Sequence, residues 1–127
     1  MTDIFIYVYI LNLTLLILHE VDSAYWQEWN LFNLGGGIDL FLALHFPLIA
    51  IALYGLLILP QKTIPALGIS MILGLAGIGA LIIHSYFIKK GRPEFNTATS
   101  LIILVATAIA SLAQIVLTVT EFGSLNF

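Results

Sequence analysis

The chain has 127 residues, 61% of them hydrophobic and 9% charged, with a formal net charge of −3 and no cysteine. A water-soluble domain of this size needs far more charge to cover its surface, so lipid is the expected solvent and residues 1–127 one integral membrane domain. The absence of cysteine excludes a disulfide framework, an iron–sulfur site and thiolate catalysis, and the mild charge without a basic patch argues against a nucleic-acid partner.

A helix needs roughly 20 residues to cross about 30 Å of hydrocarbon. Four segments meet this length, at about residues 4–22, 38–59, 64–88 and 96–120. The expected fold is therefore all-α, a four-transmembrane-helix bundle with up-down topology. The first segment begins with Asp3 and no Lys or Arg, and ends in His19-Glu20-Val21-Asp22. It lacks the positive start and the small-residue cleavage site of a secretory signal, so it reads as a retained helix. Both tryptophans follow it, in Ser23-Ala24-Tyr25-Trp26-Gln27-Glu28-Trp29-Asn30-Leu31-Phe32. Trp and Tyr favour the membrane interface, so this stretch predicts a short interfacial helix and an aromatic anchor.

Gly35-Gly36-Gly37 closes that loop and the second segment begins. Its Pro47 frees the carbonyl of Ala43 and can kink the helix. Pro60-Gln61-Lys62 with Pro65 marks a tight hairpin into the third segment, and Lys89-Lys90-Gly91-Arg92-Pro93 separates the third from the fourth. One membrane face thus carries Lys89, Lys90 and Arg92, the other only Lys62. The positive-inside rule then places loops 23–37 and 89–95 in the cytoplasm and both termini outside.

The three histidines stand on three different segments: His19 ends the first, His45 opens the second and His84 closes most of the third. Alternating direction brings all three toward the cytoplasmic face. Glu20, Asp22, Glu28, Asp39 and Glu94 fall there too. Helical spacing puts Ser70, Gly74, Gly77, Leu81 and His84 on one face, and Asn12, His19 and Asp22 on another. His45, Ala52 and Gly55 share a third face, and Ser100, Thr107, Ser111, Gln114 and Thr118 a polar stripe on the fourth segment. Small residues along such stripes let helices approach closely. The third- and fourth-segment stripes are also the expected faces for a homo-oligomer or a partner in a membrane complex.

Ionisable groups inside a span are costly and usually face a cavity that uses them. Imidazoles with nearby carboxylates suit three tasks. His19, His45 and His84 can ligate a divalent metal such as zinc. His19, Asp22, His45, His84 and Glu94 can supply general acid and base. Two of the histidines can be axial ligands to a haem. The competing reading leaves His19 and His84 in the headgroup region and the carboxylates solvated, Asp39 and Glu94 complementing helix dipoles. Other chemistry lacks its residues: there is no H-E-x-x-H, no phosphate loop, no intramembrane lysine for a Schiff base, no arginine ladder and no selectivity-filter motif.

The blocks His19-Glu20-Val21-Asp22…Glu28-Trp29, Leu44-His45-Phe46-Pro47-Leu48 and His84…Arg92-Pro93-Glu94-Phe95-Asn96 resemble the signature blocks of a bacterial family of small four-helix membrane proteins, known only as a domain of unknown function. The resemblance covers nearly the whole chain. It implies the fold and residence in the membrane, the bacterial inner membrane being expected, and supplies no activity. A weaker similarity is to HXXEE-type membrane proteins, with Asp22 and Ser23 at the two Glu positions. The expected function is a site of His and carboxylate groups at the cytoplasmic end of the bundle, a metal-dependent or acid–base enzyme acting on a lipid or isoprenoid-like substrate. The alternatives are a non-catalytic metal- or haem-binding protein and an accessory subunit of a membrane complex.

Overall fold

A computed structural model describes residues 2–125. They form α1 (Thr2–Tyr25), α2 (Gly37–Ile58), α3 (Ile64–Lys89) and α4 (Ala98–Gly123), with 3₁₀ turns at Glu28–Asn30 and Leu59–Gln61 and no strand among the described residues. All four long helices are long and apolar enough to cross a bilayer. At 1.5 Å per residue they cover about 33–39 Å. The anticipated segments lie within about three residues of these helices at each end.

The ends follow local chemistry. α1 continues through the first aromatic residue, and Gln27 then turns left-handed at φ 53°. The interfacial helix expected after the first span is therefore a single 3₁₀ turn. Gly36 (φ 90°) precedes α2 in a conformation that costs a side chain about 1–2 kcal/mol. Pro65 occupies the first turn of α3, where its missing N–H is not needed. Thr97 caps α4, its Oγ1 accepting from the Ser100 amide at 3.1 Å.

The bundle has a polar middle layer between two buried apolar clusters, one around Phe5, Tyr9, Leu59 and Leu67 and one around Leu31, Phe95 and Leu104, and apolar outer faces. α4 packs against both α3 and α1, while α2 leans on α3 and α1 and buries only Phe41, Ala52 and Gly55. The central contact is a hydrogen-bonded chain through α1, α3 and α4. Asn12 Nδ2 donates to Gln114 Oε1 at 2.8 Å, and Ser111 Oγ donates to Asn12 Oδ1 at 3.0 Å. Gln114 Nε2 donates to the Ser70 carbonyl at 2.9 Å and to Ser70 Oγ at 3.1 Å. Thr118 gives its proton to the Gln114 carbonyl at 2.7 Å, so the 2.8 Å contact between Ser70 and Thr118 must have Ser70 as donor. All five residues are buried. An unpaired amide at this depth would cost several kcal/mol, so the chain of donors fixes which helix faces meet.

The small-residue stripes of α3 and α4 face each other. A Cβ at Gly77 would overlap Ser111 Oγ, and one at Gly74 would lie 2.7 Å from Ile115 Cγ1. These faces, expected as surfaces for an oligomer or a partner, are buried within the chain. Spacing identifies a close-packing face without saying whether the neighbour is the same chain or another. At the end of the bundle opposite the histidines, Lys62 Nζ and Glu121 Oε1 pair at 2.8 Å, tying the α2–α3 hairpin to the end of α4.

Candidate metal centre and the histidine end of the bundle

The last turns of α1 supply two neighbouring residues, His19 and Glu20. Successive helix positions diverge by about 100°, so the two side chains leave α1 in different directions and enter different clusters.

His19 meets His84 of α3. Their rings make an edge contact with centroids 4.8 Å apart, and both side chains are nearly sealed, at 3% and 1% exposure. Phe95 covers them, its centroid 4.0 Å from His84 and 5.8 Å from His19. That ring is itself buried, although its backbone sits at the left-handed φ of 64°. A non-glycine residue in that region is strained, and the loop holds it there to put an aromatic lid over the histidine pair.

Glu28 completes the group. It comes from the 3₁₀ turn after α1, and its Oε1 lies 3.3 Å from His84 Nε2. One ligand atom each from His19, Glu28 and His84 falls within 4.8 Å of the others. A tetrahedral ion with bonds near 2 Å separates its ligands by about 3.3 Å, so side-chain rotation closes the remaining gap. The Nδ1 atoms of both histidines are buried without a hydrogen-bond partner, as are Asp22 Oδ2 and Ser23 Oγ. Burial would raise the Glu28 carboxyl pKa, but the contact with His84 outweighs it and holds the group below the usual carboxylate range. Glu28 is therefore an anion facing two imidazoles, as a hard–borderline metal site requires.

His45 stands outside this group. Its Nδ1 donates to the Phe41 carbonyl one turn back at 2.7 Å, and its ring stacks on Phe41 with centroids 3.9 Å apart. Its Nε2 is 2.7 Å from Glu20 Oε2, a contact that lies off the line of the ring N–H and leaves that oxygen without a directed donor. Of the residues named from the sequence, His19 and His84 come together, and Asp22 lies beside them on the same face of α1. His45 pairs with Glu20. Glu94 turns outward to Arg92, whose Nη2 and Nε donate at 2.7 and 3.1 Å and hold its carboxyl below the usual range. The two residues that sequence reasoning left out of the site, Glu28 and Phe95, both lie in connections. Helical phase is lost across Gln27 and across the loop after α3, so periodicity could not place them. The signals for them were their position among side chains crowded at one end and their place in the blocks that carry the family resemblance.

A cleft of about 220 Å³ opens beside the centre, lined by Glu28, Trp29, Phe32, Phe41 and His45 among others. His19 and His84 are in ring contact, which leaves no slot between them for a haem macrocycle.

A family model described as "Family of unknown function (DUF6713)" matches residues 5–121. The chain belongs to this family. No curated protein and no solved structure matches the chain. The match spans all four helices, the 3₁₀ turn that carries Glu28 and the loop that carries Phe95, so fold and site lie inside the family's extent.

Proposed function

We propose that the chain is a membrane-embedded metalloprotein that holds one divalent ion of the zinc class through His19, His84 and Glu28. The observation that carries this reading is the pair of sealed imidazoles, His19 and His84, each with a ring nitrogen within 4.8 Å of the other's and of a Glu28 carboxylate oxygen, the His84 contact being made by Nε2 at 3.3 Å. Three protein ligands leave a coordination position open, the pattern of catalytic rather than structural zinc. The cleft beside Glu28 gives that position access to a water or to the polar end of a lipid-like substrate. Bound metal would supply Lewis-acid activation there.

The test is metal content of detergent-purified, chelator-stripped protein after incubation with Zn²⁺. The expected result is about one ion per chain for the unaltered protein and none for His84→Ala. A helical, monodisperse protein that retains no zinc overturns the reading. A second reading, acid–base chemistry without metal, has its own support in the close Glu20–His45 pair. It predicts a turnover that survives chelation and is lost in His45→Ala.

A further inference from the structure

A second cleft, of about 270 Å³, lies on the bilayer side of the bundle where α2 stands away from α1 and α3. Leu13 and Ile17 of α1, Leu48 and Ala52 of α2, and Ile72 and Leu73 of α3 form its walls. Its foot is closed by a tight contact: the Tyr9 hydroxyl donates to the Ala52 carbonyl at 2.7 Å, and a Cβ on Gly55 would overlap both that hydroxyl and Ile69. Its head is closed by Glu20 and His45, the only polar side chains among its lining residues. From Ala52 to His45 is seven residues of α2, so the cleft runs about 10 Å along the helix axis. It is half open along its side, apolar along its length and polar at one end.

We propose that this cleft binds a single-chain lipid whose head is a non-acidic hydrogen-bond donor, an alcohol or an amine, with the head at Glu20 and His45 and the tail directed toward Ala52. Three observations support this occupant over bulk acyl chains. The volume is near the low end for small-molecule sites and suits one chain, not two. Glu20 Oε2 is sealed against His45 Nε2 at 2.7 Å, His45 Nδ1 is committed to the Phe41 carbonyl, and Glu20 Oε1 has no hydrogen-bond partner among the described residues, so the free capacity at the head is for accepting a hydrogen bond at Oε1. Lys89, Lys90 and Arg92 lie at the end of α3 and in the loop beyond it, but the charged side chain lining the cleft's own head is Glu20, with Glu28 lining the adjoining cleft, which disfavours a carboxylate or phosphate head and favours a neutral or cationic one. His45 lines both clefts, so the head would lie on the side of the pair that faces Glu28. The site does not depend on bound metal.

The experiment uses the full chain in phosphatidylcholine nanodiscs, treated with chelator, and a twelve-carbon alcohol bearing a diazirine at its tail. Photolabelling is mapped by peptide mass spectrometry. Label is expected on the α2 and α3 peptides around Ala52 and Ile72, and is expected to be displaced by dodecanol and dodecylamine but not by dodecanoate. Leu48→Trp fills the cleft from a side chain that is 60% exposed, so the fold is retained. It should cut labelling about tenfold, the loss of most of the apolar contact. Glu20→Gln separates the two heads: its amide oxygen still accepts from an alcohol, while the amine loses a charge-assisted bond and weakens about tenfold. Equal displacement by dodecanoate, labelling spread over α4's outer face at Val105 and Ile109, or labelling unchanged by Leu48→Trp each overturns the proposal. Because metal is removed throughout, failure here leaves the zinc reading standing, and failure of zinc binding leaves this one.

Discussion

His84 and His45 carry the same side chain at the same end of the bundle, yet their surroundings assign them different work. His84 is sealed with a free Nδ1, whereas His45 is about one-fifth exposed and has both nitrogens in contact. If the metal reading is right, Zn²⁺ affinity measured by competition with a fluorescent chelator should fall at least about 100-fold in His19→Ala and His84→Ala. Glu28→Gln should cost about 10–100-fold, and His45→Ala should stay within about threefold. A large loss in His45→Ala with little in His84→Ala would transfer the site to the other cluster. Phe95 offers a separate test. Its ring shields the histidines at the expense of a left-handed backbone, so Phe95→Gly relieves strain while removing the lid. This variant should unfold about 1–3 kcal/mol more readily than the native chain, because losing a buried phenyl ring costs about 3–5 kcal/mol and the relieved backbone returns only about 1–2. It should release zinc to excess EDTA about tenfold faster, as the apolar shell that limits solvent access is lost.

Between elements, the α3–α4 seam depends on the absence of side chains at two points. Gly77→Ala pushes a methyl into Ser111 Oγ and against Thr107, and should cost about 1–3 kcal/mol in reversible detergent unfolding. Gly79, two residues on, has open space where its Cβ would be, so Gly79→Ala should be neutral or up to about 1 kcal/mol stabilising. Equal effects would mean the seam is not packed as described. The Asn12–Gln114 hydrogen bond links α1 to α4 in the same layer. A double-mutant cycle replacing both by Leu should return a coupling of about 0.6–1.7 kcal/mol, the range for interhelical hydrogen bonds in membranes. That contact orients α1 so that His19 turns toward α3, tying a structural bond in mid-bundle to the geometry of the site.

For the whole molecule, the excess of Lys89, Lys90 and Arg92 over Lys62 supports a histidine end in the cytoplasm. The cysteine-free chain makes this measurable without background. A cysteine at Lys90 should be blocked by membrane-impermeant maleimide only after the inner membrane is opened, and one at Lys62 should react in intact spheroplasts. The reverse pattern would put the site, and any substrate head, on the outer leaflet.

Four apolar segments, each bounded by Gly, Pro or a charge cluster, determined the number of helices, their limits to within a few residues and their alternation, because bilayer thickness and backbone hydrogen bonding leave a chain of this composition few other choices. Spacing also determined which residues share a face: Ser70, Gly74, Gly77 and His84 are all buried together on α3, as are Ser111, Gln114 and Thr118 on α4. What spacing could not decide was the neighbour of each face. Three histidines at one end look alike in sequence, but only the arrangement of the helices joins His19 to His84 and sends His45 to Glu20. Glu28 and Phe95 were beyond reach for a different reason. They lie in turns where Gln27 and Phe95 adopt left-handed backbone, helical phase does not carry across such a break, and packing alone directs their side chains into the site.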